Sequence, residues 1–196
     1  RTGELYWDWA YDGGRLRYIV PGTNQLHKGW LLLGGAGYYF DTNGLSVKGS
    51  QRIDGAAYNF NNNFTLRTGE LYWDWAYDGG RLRYVDPNTL DLKKGWLLLN
   101  GTGYFFDNNG LSVKGSQRID NAAYNFNDNF TLRTGELYWD WAYDGGRLRY
   151  VDPGTLNLHK GWLDMSSARY YFTTDGVTAK GWQQIGTNYY YFDTAN

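Results

Sequence analysis

The stretch GELYWDWAYDGGRLRY occupies residues 3–18, and it returns unchanged at residues 69–84 and 135–150. In its first copy, two short runs of alternating apolar and polar side chains flank the turn-forming sequence Asp-Gly-Gly at residues 12–14. Alternation with a period of two, interrupted by turn residues, predicts a β-hairpin with one apolar face. The fold therefore depends on a tryptophan-rich hairpin that the chain uses three times.

A glycine that follows Thr or Lys marks the start of each hairpin unit. It stands at positions 3, 29, 49, 69, 95, 115, 135, 161 and 181, so steps of 26, 20 and 20 residues recur. Nine units therefore form three triplets, residues 1–66, 67–132 and 133–196. No helical apolar period of useful length occurs, and the sequence predicts an all-β repeat protein.

Stacking of the hairpins follows from their size. A single two-stranded hairpin is marginally stable in water, whereas hairpins in a row bury their faces on one another. The sequence predicts a β-hairpin solenoid with about three hairpins per turn, because the superperiod contains three units. We expect residues 1–196 to form a single repeat module that is a fragment of a larger protein.

Composition excludes several classes of function. The chain has 19 basic and 20 acidic residues, so no basic excess is available for nucleic acid. Even its longest apolar runs, such as Trp30–Leu33, are far too short to cross a bilayer, so we expect no membrane span. Its two histidines, His27 and His159, occupy equivalent repeat positions, and the middle triplet has Lys93 there. This argues against a catalytic histidine. We therefore predict a protein that is not an enzyme, with no catalytic residues, metal or cofactor.

The long hairpin has two chemically different faces. We expect Trp7 and Trp9 to form its apolar face, with Trp7 opposite Tyr18 and Asp8 opposite Arg17. Large rings that bury much area are the natural filling of a narrow solenoid, so this face is predicted to be core. The alternative is a sugar platform, in which the rings stack on pyranose C–H faces.

The short units carry a further motif. It reads Gly29-Trp30, then Tyr-Tyr-Phe-Asp at 38–41, then Asn43-Gly44, and KGWQQIGTNYYYFD at 180–193 repeats it closely. These units resemble the repeats of choline-binding and glucan-binding modules in Gram-positive surface proteins, and they are similar to clostridial toxin binding repeats. The resemblance implies a left-handed β-hairpin solenoid that binds cell-wall or polysaccharide ligands.

One slot departs from the choline-binding pattern. That pattern places a second tryptophan just before the tyrosine pair, and a cage for a quaternary ammonium needs several rings. The last hairpin keeps rings there, through Trp182, Tyr189 and Tyr191. The sequence therefore favours glucan-like or general cell-wall ligands over choline. In the six short units, the position just before the tyrosine pair holds Gly37, Ala57, Gly103, Ala123, Arg169 and Tyr189.

We expect ligand binding where each long unit meets the following Gly-Trp unit, with polar side chains from the long hairpin at the edge. The alternative for these tryptophans is that they fill the seam between hairpins. The predicted binding residues are Trp30, Trp96, Trp162, Trp182, Tyr189, Tyr191, Tyr6, Asp8 and Arg17.

The predicted function is a non-catalytic binding module that anchors a larger secreted protein. Its predicted partner is a cell-wall polymer or an extracellular polysaccharide, which places it outside the cell or on the bacterial surface. Two alternatives stay open: a structural spacer, and a toxin-type array that binds host glycans. An exposed end hairpin also allows end-to-end dimers through edge pairing.

Overall fold

A computed structural model describes residues 2–10, 14–74, 80–140 and 146–193. Within these ranges each strand pairs with one neighbour in an antiparallel, two-stranded sheet. They contain no helix that is long and apolar enough to cross a membrane. The hairpins are β1(Leu5–Asp8)/β2(Arg15–Tyr18), β3(Gly29–Leu33)/β4(Ala36–Phe40), β5(Gly49–Ile53)/β6(Ala56–Phe60), β7(Leu71–Asp74)/β8(Arg81–Tyr84), β9(Gly95–Leu99)/β10(Thr102–Phe106), β11(Gly115–Ile119)/β12(Ala122–Phe126), β13(Leu137–Asp140)/β14(Arg147–Tyr150), β15(Gly161–Met165)/β16(Ala168–Phe172) and β17(Gly181–Ile185)/β18(Asn188–Phe192).

Two-residue turns close the short hairpins. Gly34 and Gly35 have φ values of 59° and 79°, and Asp54 and Gly55 have 49° and 81°. Positive φ at both central residues is the signature of a type I′ turn, whose twist matches that of the flanking strands. These turn residues therefore fix the pairing register of the short hairpins.

A second kind of turn leads from one hairpin to the next. The Oδ1 atom of Asp41 accepts hydrogen bonds from the backbone N–H groups of Asn43 and Leu45, at 2.8 and 3.0 Å. Gly44 completes this turn at a φ of 69°, and a Cβ there would lie 2.8 Å from the Cβ of Leu26. The close approach of Leu26 excludes a side chain here, and glycine adopts the positive φ without strain.

The chain divides into two compact units, Arg1–Lys94 with Phe106–Leu111, and Gly95–Phe105 with Ser112–Asn196. The first contains clusters of buried apolar side chains around Phe40 and Val85, and the second contains one around Val151. The predicted all-β fold of repeated hairpins is confirmed. The single module over residues 1–196 stays a prediction.

The pairing register of the long hairpin differs from the predicted one. Trp7 lies opposite Leu16, and Leu5 lies opposite Tyr18. The prediction that Trp7 pairs with Tyr18 is wrong by two residues, because the connection between the strands begins at Trp9. A shift of two residues keeps every side chain on its predicted face.

The burial of those faces is only partly as predicted, because Leu16 and Tyr18 on the Trp7 face are buried but the tryptophans are not. The side chains of Trp7 and Trp9 are 48% and 72% exposed, whereas Tyr72, Asp74 and Arg83 on the opposite face of the second copy are each 3% exposed. The predicted core role of Trp7 and Trp9 is therefore wrong. Their equivalents Trp75 and Trp141 lie outside the described residues.

Most polar groups of the buried face bond to one another, although the Oδ1 of Asp74 is buried without a hydrogen-bond partner. The Nε of Arg83 donates to Asp74 at 3.2 Å, and its Nη1 donates to the carbonyl of Asn109 at 2.8 Å. The hydroxyl of Tyr72 donates to the carbonyl of Ala57 in the preceding hairpin at 3.2 Å. Buried polar groups are tolerated when they are paired in this way.

We expect Asp74→Ala to lower the free energy of unfolding by about 3–5 kcal/mol, because it leaves the Arg83 guanidinium buried without its charge partner. Urea denaturation followed by circular dichroism measures this change. The control is Glu70→Ala, which removes an exposed ion pair with Arg67 and should cost less than about 1 kcal/mol. Equal losses for the two variants would contradict this account of the fold.

Candidate functional site

Trp30 lies at the junction of two hairpins. Its ring centroid is 5.1 Å from that of Tyr39 in the same hairpin, and 4.8 and 6.0 Å from those of Tyr58 and Phe60 in the next one. The indole is partly buried, so part of its surface stays open to solvent. We call this group the junction cluster.

The junction cluster recurs in the second unit. Trp96 lies 5.1 Å from Phe105, 4.8 Å from Tyr124 and 6.1 Å from Phe126, measured between ring centroids. The interplanar angles match those around Trp30 within a degree or so. Trp30 and Trp96 therefore have the same ring packing, formed by residues at equivalent repeat positions.

Trp162 has the same ring packing, at 5.2, 5.0 and 5.8 Å from Tyr171, Tyr190 and Phe192, and it has one further neighbour. The guanidinium of Arg169 lies 4.5 Å from the ring centroid of Trp162, within the range of a cation–π contact. An ion pair of 2.9 Å with Asp164 holds this arginine in place. Part of the Trp162 surface is therefore already covered by a cation of the chain itself.

The histidines have structural roles. The Nε2 of His27 donates to the carbonyl oxygen of Trp30 at 2.9 Å, and the ring packs edge-on against Tyr18 and Phe40. His27 therefore positions the strand that carries Trp30. In the part of the chain that the structure describes, no group of three or more His, Asp or Glu residues is placed to hold a metal ion.

A polar cleft of about 780 Å³ opens beside the junction cluster of the first unit. Tyr58 belongs to both, because it contacts Trp30 and also lines the cleft. The cleft thus combines an aromatic wall with charged and amide groups. Its polar lining includes Asp54, Tyr58, Arg83, Asp91, Lys94 and Asn109.

The second unit has an equivalent cleft of about 620 Å³. Each lining position lies 66 residues after its counterpart in the first cleft. Two differences concern charge: the second cleft has Asn157 at the position of Asp91, and Asp175 at the position of Asn109. The corresponding lining is Asp120, Tyr124, Arg149, Asn157, Lys160 and Asp175.

Two polar side chains of the first cleft are fixed, Tyr58 in its protonation and Arg83 in its position. Burial, followed by the nearby charge of Asp91, raises the pKa of Tyr58 above its ordinary value, so the hydroxyl stays neutral and can both donate and accept. Arg83 is fixed by its bonds to Asp74 and Asn109. Lys94 is exposed and reaches the cleft from its rim.

The structure brings three predicted residues together on the last hairpin. Trp182 pairs with Tyr191, and Gln184 pairs with Tyr189, so the three rings share one face. Their side chains are 70%, 58% and 68% exposed for Trp182, Tyr191 and Tyr189. The rings of Trp182 and Tyr191 meet edge to face at 5.4 Å.

The other predicted polar residues lie elsewhere. Tyr6, Asp8 and Arg17 lie on the face opposite Trp7, and the Nε of Arg17 donates to Asp8 at 2.6 Å. Asp8 and Arg17 therefore do not border Trp7 as the sequence analysis expected, whereas Tyr6 lines a concavity together with Trp7 and Trp9. Sequence reasoning missed Asp54 and Lys94, although both recur in the next triplet at Asp120 and Lys160.

Packing explains why the second tryptophan of the choline-binding pattern is absent. A Cβ on Gly37 would lie 2.9 Å from the Cδ1 of Leu90 and 3.3 Å from the Cβ of Leu66. Ala57, in the slot of the next hairpin, is 2% exposed. The space that a ring would need is already filled by the chain.

We expect Gly37→Ala to reduce the free energy of unfolding by about 1–3 kcal/mol, because the added methyl group overpacks the contact with Leu90. Gly154→Ala is the matched control, since a Cβ there meets nothing within 4 Å. Thermal unfolding distinguishes the two variants. A Gly37 variant as stable as the Gly154 variant would show that the slot has room for a larger side chain.

Comparison with known proteins agrees with this architecture. Residues 180–195 match the family described as "Putative cell wall binding repeat". The chain is 29% identical over 159 residues to glucosyltransferase-S of Streptococcus downei, covering 80% of this chain and 11% of that protein. It is 31% identical over 119 residues to toxin A of Clostridium novyi, covering 56% of this chain and 5% of the toxin. The chain thus spans about a tenth or less of these relatives.

Solved structures show the same fold. Choline binding protein F of Streptococcus pneumoniae superposes with a TM-score of 0.55 at 21% identity, over 97% of this chain and 78% of that one. That protein has also been crystallised in the presence of a peptidoglycan analogue. The resemblance to choline-binding and glucan-binding cell-wall repeats is confirmed, and with it the fold of a β-hairpin solenoid.

Proposed function

We propose that the chain is a non-catalytic carbohydrate-binding module that anchors a larger secreted protein to a cell-wall polymer or an extracellular glucan. The observation that carries this proposal is the pair of polar clefts, each bordered by a tryptophan–tyrosine cluster and built from equivalent repeat positions. The similarity to cell-wall-binding repeats supports the same conclusion.

The chemistry of the clefts suits a sugar. Pyranose rings present apolar C–H faces, which can pack on the open part of the Trp30 and Tyr58 rings. Their hydroxyl groups both donate and accept hydrogen bonds. Asp91 accepts, Lys94 donates, and Tyr58 can do either, so one cleft meets each need of a hydroxylated ligand.

The duplicated site suits a polymer rather than a single sugar. A repeating polysaccharide offers equivalent units to both clefts, and binding at one raises the effective concentration at the other. Each cleft can then be weak while the whole chain is retained firmly. This is the behaviour required of an anchor.

The fixed side chains of the clefts support a binding role without catalysis. Arg83 is held by Asp74 and Asn109, and neither His27 nor His159 lines a cleft. A binding role also fits the short span of the chain within its enzymatic relative. The similarity to a clostridial toxin favours host glycans as the second candidate ligand.

We expect the double variant Lys94→Gln, Lys160→Gln to be retained less well on purified cell walls or dextran, because each cleft loses a charged donor. The dissociation constant should rise about tenfold or more, since each hydrogen bond from a charged group contributes about 1.5–3 kcal/mol. Sedimentation with insoluble walls and affinity electrophoresis in dextran gels measure the change.

The control is the double variant Lys48→Gln, Lys114→Gln, which removes the same charge outside both clefts. It should bind like the unmodified chain. A host-glycan array would bind mammalian glycans and neither bacterial walls nor dextran. A spacer would stay in the supernatant with every polymer, and that result would refute a binding function.

A further inference from the structure

We propose that Trp7 and Trp9, with the repeat position Trp73, provide a second binding surface that stacks on the rings of a neutral polysaccharide. This inference rests on the proposed function only in taking the same class of ligand. It concerns different residues from the clefts. We call the pair Trp7 and Trp9 the tryptophan platform.

The two indoles of the platform form one exposed aromatic surface. Their ring centroids are 5.3 Å apart and their planes differ by 17°, so the rings are stacked. Trp7 is 48% exposed and Trp9 is 72% exposed. Trp73 in the next copy is 45% exposed. Large aromatic side chains left at the surface in this way mark contact sites for partners.

The residue between the tryptophans directs them outward. Asp8 points to the opposite face, where its Oδ2 accepts a hydrogen bond from Arg17 at 2.6 Å and its Oδ1 accepts one from the N–H of Ala10 at 3.1 Å. Side chains alternate along a strand, so anchoring Asp8 on one face places Trp7 on the other. Trp9 begins the connection and stacks on Trp7. The order Trp-Asp-Trp thus encodes the platform.

A glycine and a strained residue support the rings from the other side. A Cβ on Gly14 would lie 2.7 Å from the Trp9 ring, so glycine lets the indole rest on the backbone. Phe64 packs its ring edge-on against Trp7 at 5.7 Å. Phe64 has a φ of 70° at the turn position that Gly44 occupies in the preceding hairpin.

The strain at Phe64 indicates that this ring has a purpose. A bulky residue in the left-handed region is unfavourable and persists where the surrounding structure requires it. Phe130 repeats the feature with a φ of 69°. The ring of Phe64 is 3% exposed and forms the base on which Trp7 lies.

Charge and area identify the partner. Among the residues that the structure describes, the concavity at the platform is lined by Leu5, Tyr6, Trp7, Trp9 and Ile19, and none of these five is charged. This favours a neutral ligand over an ionic one. Two partly exposed indoles of about 200 Å² each also fall well below the ~800 Å² per partner of a stable protein interface. Flat sugar rings need only a surface of this size.

The test compares dextran affinity of the full chain with that of the double variant Trp7→Ala, Trp9→Ala in affinity electrophoresis. We expect the dissociation constant to rise by about fivefold or more, as loss of aromatic stacking predicts, with little change in melting temperature. The single variant Trp9→Ala, at the most exposed ring, gives the same test with the least effect on folding.

The matched control is Leu32→Ala with Leu98→Ala, which removes exposed apolar side chains away from the platform. It should leave dextran affinity unchanged. Platform variants that bind dextran like the unmodified chain, while Lys94→Gln with Lys160→Gln weakens binding, would overturn the platform and leave the clefts standing. The reverse result would support the platform and refute the clefts.

Two further results would also overturn the platform. Sedimentation equilibrium showing a dimer that Trp9→Ala dissociates would make this surface an interface between two copies of the chain. An unmodified chain that binds neither dextran nor purified walls would overturn both proposals.

Discussion

The buried ion pair of the long hairpin determines on which face of that hairpin the tryptophans lie. Asp74 and Arg83 lie between the long hairpin and its neighbours, each 3% exposed, and Arg83 also reaches the turn at Asn109. The pair is buried although the Oδ1 of Asp74 has no hydrogen-bond partner, and the alternation of the strand then places Trp73 on the other face. The position of the tryptophans is thus a consequence of where the charges go.

The sequence was sufficient for the fold because the relevant signals are local. Turn residues such as Asp54-Gly55 and the glycine spacing define hairpins without reference to distant contacts. The orientation of the faces could not be predicted in the same way. How far the face with Asp8 is buried depends on Arg17 and its equivalents finding carbonyl partners in other hairpins, such as Asn43. Hydrophobicity alone correctly placed Leu16 in the core and was wrong for Trp7 and Trp9.

The candidate site was predictable in part for a related reason. The Gly-Trp motif located Trp30, and the structure places Trp30 at a hairpin junction as expected. The polar half of the site comes from turns and linkers, including Asp54 and Lys94, which are far apart in sequence. Residues of this kind look like ordinary loop residues until the fold assembles them.

The length of chain that builds one cleft has a consequence for copy number. The first cleft draws its lining from Arg52 to Leu111, which begins in one triplet and ends late in the next. A cleft is therefore a property of two adjacent triplets, and a triplet alone does not contain one. In a tandem array the number of complete clefts is one fewer than the number of triplets. The first duplication creates the first complete cleft and each later one adds another, so gene-level changes in repeat number alter the number of clefts without any substitution.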